Sequence, residues 1–171
     1  MQPTIREERA GDEDAVRRIN NEAFGQSGEA DLVDELRQNG GLTLSLVAVI
    51  GDELVGHIAY SPVVVGDRET VPAPLALAPM AVLPAHQQSG IGTALVRESL
   101  NEARRRGHEA VIVLGHPEFY PRFGFTPASR FGITCPYPAP DEAFLAVELV
   151  PGALQGLSGL VQYRPEFGRF S

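Results

Sequence analysis

The sequence contains no lysine, and all fourteen of its basic residues are arginine. A glycine-rich phosphate loop in this chain is therefore not of the Walker type, which needs a lysine after its second glycine. The single cysteine, Cys135, excludes an internal disulfide and a cysteine zinc cluster. The four histidines show no metal-ligand spacing, so no metal is expected. A reducing, cytoplasmic compartment is the expectation. There is no basic excess either: the net charge is −8, the opposite of a nucleic-acid binder. No run approaches the roughly 18 apolar residues of a membrane span, and residues 1–9 lack the apolar core of a signal peptide. Neither nucleic acid nor membrane is an expected partner. What is present is the composition of an ordinary domain: 171 residues, 43% hydrophobic and 21% charged. No repeat or linker divides it. Residues 1–171 read as one domain, with 151–171 as a C-terminal extension.

One stretch organises the rest. Residues 77–83 are apolar throughout, which predicts a strand covered on both faces. Pro84 ends it, Gly90 and Gly92 follow, and from Gly92 the apolar spacing becomes that of a helix running to about Arg106. The first N–H groups of a helix have no partner within it and carry partial positive charge. Glycines clear side chains from that backbone. Together they predict a cradle for a phosphate or pyrophosphate. The dinucleotide fingerprint fits poorly, because Leu95 stands where its third glycine belongs.

Around this stretch the chain reads as an edge strand over residues 4–9 and a helix opened by Asp12. That helix has Ala15, Val16, Ile19 and Ala23 on its apolar stripe, with Asn20 to Glu22 mostly off it. A second helix is expected over about 28–38, with Leu32, Val33 and Leu36 inward. Strands over 43–50 and 53–65 are joined by Gly51-Asp52, the later one bent near Pro62. After the central helix come a strand over 109–114, which implies a parallel pair through a right-handed crossover, and a helical turn over 118–123 begun by Pro117. The last clear strand is expected over 142–150, and the glycine-rich tail is expected to be irregular or an extra hairpin. His57, alternating with Val55 and Ala59, reads as a satisfied structural histidine. The run Arg104-Arg105-Arg106 suits a helix C-terminus.

Gln87-Gln88-Ser89-Gly90-Ile91-Gly92 resembles the acyl-CoA pyrophosphate loop of the GNAT N-acetyltransferases: Gln or Arg, two residues, Gly, one residue, then Gly or Ala. Phe119-Tyr120-Pro121-Arg122-Phe123-Gly124-Phe125 resembles a second signature of that family, an aromatic, Tyr, three residues, then Gly-Phe. The two occur in the family's order, one strand apart, and the resemblance covers about residues 4–150. The Tyr-Pro-Arg-Phe-Gly-Phe form is similar to a bacterial branch of small acetyltransferases, a likeness that reaches residues 163–167.

The resemblance implies an α/β fold with a mixed, mostly antiparallel central sheet, flanking helices and a splayed central strand pair. It implies transfer of acetyl from acetyl-CoA to a primary amine, on a small molecule or a protein, by direct attack. Backbone groups of Met80, Ala81 and Val82 would lie along the pantetheine arm. Gln87 belongs to the loop signature, and the amides of Gln88, Ser89, Gly90, Ile91, Gly92 and Thr93 would surround the pyrophosphate. Tyr120 would assist departure of the thiolate. A phenol of pKa about 10 facing a thiol of about 8.5 makes full proton transfer uphill by roughly 2 kcal/mol, so hydrogen-bond donation is the expected role. Many relatives place a carboxylate base on the central strand; residues 75–83 have none. Glu22 and Glu29, from helices that wall the acceptor site in the family, and His86 or His116, are candidates instead, as is a water chain. Relatives often form homodimers. The competing reading is a non-catalytic acyl-CoA sensor that kept the cradle and lost the base.

Overall fold

The computed structural model describes residues 2–170. The chain divides into two compact units. One comprises the residues up to Ser61 with Ala78–Asn101, the other Pro62–Leu77 with the residues from Glu102 onward.

In the first unit, β1 (Thr4–Glu7) is an antiparallel edge strand on β2 (Leu44–Ile50), and β2 forms a hairpin with β3 (Glu53–Pro62). The two-residue connection Gly51-Asp52 has the positive φ at Gly51 that such a turn requires. Helices α1 (Glu13–Phe24) and α2 (Gly28–Gln38) bury Val16, Ile19, Ala30, Leu32, Val33 and Leu36, and Val16 and Val33 pack on Val47 of β2. Arg17 bridges the two helices, 2.6 Å from Asp31 and 2.7 Å from Asp34. Asp12 precedes α1 but does not cap it with its side chain. Its carboxylate instead accepts from Arg6 and from the Arg9 N–H, and the Arg6 bond chiefly holds its pKa below the usual carboxylate range.

Asn20 departs from expectation. It lies fully inside rather than off the apolar stripe, because its amide donates to the Val16 carbonyl at 3.0 Å and to His57 Nδ1 at 3.2 Å. His57 is fully buried, and its Nε2 lies 2.8 Å from Ser45 Oγ. Ser45 donates to Glu8 at 2.6 Å, so the ring nitrogen is the donor to the hydroxyl, and the imidazole is the neutral Nε2–H tautomer. Glu8 is itself held by Arg37 at 2.7 Å. Burial first, and the Arg37 charge second, lower the His57 pKa to about 3. Ser45 stands between the ring and Glu8, whose charge is already matched by Arg37, so Glu8 does not draw a proton onto the imidazole.

Strand β5 (Leu75–Val82) and helix α3 (Ile91–Arg105) each contribute residues to both units. In the second unit Leu75 and Ala76 of β5 pair parallel with Val111 and Ile112 of β6 (Ala110–Leu114), the crossover partner expected. That ladder is two residues long, and β5 leaves it from Leu77 on. Strand β6 pairs along its whole length with antiparallel β9 (Phe144–Glu148), which also pairs with β7 (Thr126–Pro127). A separate three-stranded sheet has β10 (Gly159–Gln162) at its centre, antiparallel to β4 (Val64–Val65) and parallel to β8 (Ile133–Thr134). Val63, Ile112, Phe144, Leu154 and Val161 pack into one core there.

Three strand expectations change. Residues 53–65 are not one bent strand: β3 stops at Pro62, which has no N–H to offer, and the Val63 N–H turns to the Pro74 carbonyl. Strand β9 is shorter than 142–150 and is not the last. The tail is neither irregular throughout nor a hairpin, since β10 supplies the middle strand of the second sheet. The arginine run also finds specific partners: Arg104 donates to the Leu149 carbonyl, and Arg105 and Arg106 pair with Glu102.

Candidate active site

The expected strand–loop–helix is present. Its first part is less covered than the apolar run suggests: Ala81 is buried, but Ala78, Met80 and Val82 are half-exposed along one side. These three positions alternate with buried ones, so one face of β5 is less covered than the other. Pro79 has no N–H, so the donors of the following segment are the amides of Met80, Ala81 and Val82.

The loop is braced at its start. The Leu83 N–H donates to the Val55 carbonyl at 2.9 Å, a 3-10 turn spans Pro84–His86, and the Gln87 side-chain amide reaches back to the Val82 carbonyl at 3.0 Å. Ser89 Oγ donates to the His86 carbonyl. Gln88 takes a left-handed φ of 62°, which the sequence did not suggest because side chains rarely adopt it. Gly90 follows at φ 89°, and a Cβ there would meet nothing within 4 Å, so the space beside it is open.

The first helical bond of α3 runs from the Ala94 N–H to the Gly90 carbonyl at 3.0 Å. Among the described residues no partner accepts from the amides of Gln88, Ser89, Gly90, Ile91, Gly92 or Thr93. The first turn of α3 carries no acidic residue, so the positive helix end is uncompensated. An anion at a helix end gains at most about 2 kcal/mol from the dipole. A direct charge-assisted hydrogen bond contributes about 1.5–3 kcal/mol. The partnerless N–H groups therefore dominate what this loop offers an anion.

The aromatic motif lies in the second unit. Tyr120–Phe123 is a 3-10 turn containing Pro121, closed by Gly124 at φ 96°; the turn begins later than Pro117 because the N–H groups of Phe119 and Tyr120 both return to the His116 carbonyl. Tyr120 is 6% exposed. Its ring meets Phe119 and Phe125 edge-on, at centroid distances of 5.0 and 5.6 Å. Burial pushes its phenol up to about 12, and no described residue hydrogen-bonds its hydroxyl. The group is therefore a neutral donor without an internal acceptor.

The remaining candidates are less distinctive. Glu22 is exposed on α1 and paired with Arg18 at 2.7 Å. Glu29, on α2, accepts from Gln26 at 3.0 and 3.2 Å. His86 lies 3.7 Å from Glu53, and His116 is exposed. His57 belongs to the internal network. Among the described residues no three His, Cys, Asp or Glu groups are placed to hold a metal ion, and no helix is long and apolar enough to cross a membrane.

Residues 4–128 match the model of the acetyltransferase (GNAT) domain. The chain is 38% identical over 149 residues to the uncharacterised N-acetyltransferase YhbS of Escherichia coli K12, covering 86% of this chain and 88% of that one. It superposes on the crystal structure of Escherichia coli YhbS in complex with CoA with a TM-score of 0.93 at 35% identity, over 100% of this chain and 94% of that one. A GNAT acetyltransferase of Brucella melitensis in complex with acetyl-CoA gives a TM-score of 0.81 at 34% identity, over 96% and 97%. On the domain match and this identity, the chain belongs to the GNAT family of acetyltransferases.

Proposed function

We infer that this chain is an acetyl-CoA-dependent N-acetyltransferase acting on a primary amine, within the bacterial branch marked by the Tyr-Pro-Arg-Phe-Gly-Phe motif. The observation that carries the reading is the set of partnerless amides over residues 88–93, opposite open space at Gly90. They suit the diphosphate of coenzyme A, and two relatives of 34–35% identity are crystallised with CoA or acetyl-CoA. When bound, acetyl-CoA supplies a thioester carbonyl open to attack. The chain's part is to hold and polarise it. Amides of Met80, Ala81 and Val82 line the pantetheine arm, and one of them donates to the carbonyl oxygen as negative charge grows there.

The amine nitrogen forms a bond to the acetyl carbon, the carbon–sulfur bond breaks, and the ammonium proton leaves to a base or to water. Tyr120 donates a hydrogen bond to the departing sulfur. With its phenol at about 12, complete transfer to a thiolate of ordinary pKa about 8.5 is uphill by about 5 kcal/mol. Donation without transfer is the role the burial supports. Glu22 and Glu29 are the carboxylates proposed to face the acceptor, which is a small molecule or a protein amine.

The absence of a carboxylate on β5 favours one second reading, a sensor that binds acyl-CoA without turnover. Turnover of acetyl-CoA against a panel of amines separates the two. Tyr120→Phe is expected to lower kcat by about 10²-fold while leaving CoA affinity within twofold. No turnover with any amine, together with intact CoA binding, supports the sensor.

A further inference from the structure

We propose that Gly115 is a positioning residue for Tyr120: the absence of a side chain at 115 sets where the phenol lies. This rests on the role given to Tyr120 above. Gly115 follows β6 and is anchored there, its N–H donating to the Ala143 carbonyl at 2.9 Å. Its φ is outside the left-handed region that twelve other glycines among the described residues occupy, so the backbone alone does not call for glycine. The ring of Tyr120 does. A Cβ at 115 would stand 3.0 Å from Cδ2 and 3.4 Å from Cζ of that ring, and closer still to Cε2.

The ring has no easy retreat. Phe119 and Phe125 meet it edge-on, and its own N–H is tied to the His116 carbonyl, one residue beyond Gly115. A side chain at 115 therefore turns the phenol out of its present line or lifts the turn that carries it. Buried aromatic rings at this density do not give way without such a shift. Gly115 makes no chemical contribution of its own; it fixes the direction in which the Tyr120 hydroxyl donates.

The test is a double-mutant cycle on the full chain, with Gly115→Ala, Tyr120→Phe and the pair, reading kcat for amine acetylation, acetyl-CoA affinity and thermal midpoint. Gly115→Ala is expected to lower kcat at least tenfold with acetyl-CoA affinity within twofold. In the Tyr120→Phe background it is expected to lower kcat no further, although the thermal midpoint drops in both, because the phenylalanine ring still collides while the donor is already gone. An equal kcat loss in both backgrounds, or an unchanged kcat in Gly115→Ala beside a slow Tyr120→Phe, overturns the positioning role. Full activity of Tyr120→Phe itself instead refutes the reading of Tyr120. If Gly115→Ala does not fold, the pair Gly115→Ala/Tyr120→Leu decides: removal of the far ring atoms should restore the midpoint of Tyr120→Leu alone, and failure to restore it places the collision elsewhere and overturns the proposal.

Discussion

Acidification loads a proton onto His57 in the unfolded chain well before the folded chain accepts one. The unfolded value is about 6.5. In the folded chain, burial followed by the Arg37 charge brings it to about 3. Between those values the unfolded state binds more protons, so stability falls as the pH falls from about 6.5 toward 3. The groups facing the ring do not offset this: Asn20 donates to Nδ1, Ser45 occupies Nε2, and Glu8 is held by Arg37. From pH 7 to pH 5 the loss works out at about 2 kcal/mol, a large share of the 5–15 kcal/mol typical of a folded domain. Urea denaturation at the two pH values reads it directly. With an m-value of about 2 kcal/mol/M, the midpoint should fall by about 1 M more in the native chain than in His57→Gln. Carboxylates such as Asp12 titrate in both proteins and cancel in the difference. Parallel shifts in the two proteins would refute the reasoning, since they would mean that the imidazole is protonated equally readily in both states.

Two further outcomes are expected from packing and linkage. Gly56 lies under α3, where a Cβ would stand 3.0 Å from Ile91 Cγ2 and Leu95 Cδ1. Gly56→Ala should cost about 1–3 kcal/mol by overpacking and, by displacing the first turn of α3, weaken acetyl-CoA binding; calorimetry and a titration check the two effects. Acetyl-CoA at 100 times its Kd should stabilise the chain by about 2.7 kcal/mol, a rise of about 5–10 °C in Tm that thermal denaturation detects.

The parts legible in the sequence are those whose signal is local. A continuous apolar run, two close glycines and a change to helical spacing mark β5, the loop and α3 within twenty residues, and α2 is bounded by Gly28 and by Gly40-Gly41 at its two ends. The illegible parts depend on distant partners. Strands β4 and β8 are two residues long and β10 four, too short to show an alternation, and they are strands only because they pair with one another. Asn20 reads as mostly off the apolar stripe because nothing near it in sequence reveals that His57 accepts from its amide. The left-handed φ of Gln88 is equally hidden, being imposed by braces at Val55, Val82 and His86 rather than by the residue itself. In sequence Gly115 is only the residue after the strand expected over 109–114, and the ring of Tyr120 shows what its missing side chain is for.

The most direct measurement is a crystal structure of this chain grown with acetyl-CoA. The diphosphate oxygens should lie within about 2.7–3.2 Å of amide nitrogens among residues 88–93, in the space beside Gly90. A diphosphate bound elsewhere, with those amides still facing solvent, would contradict the account.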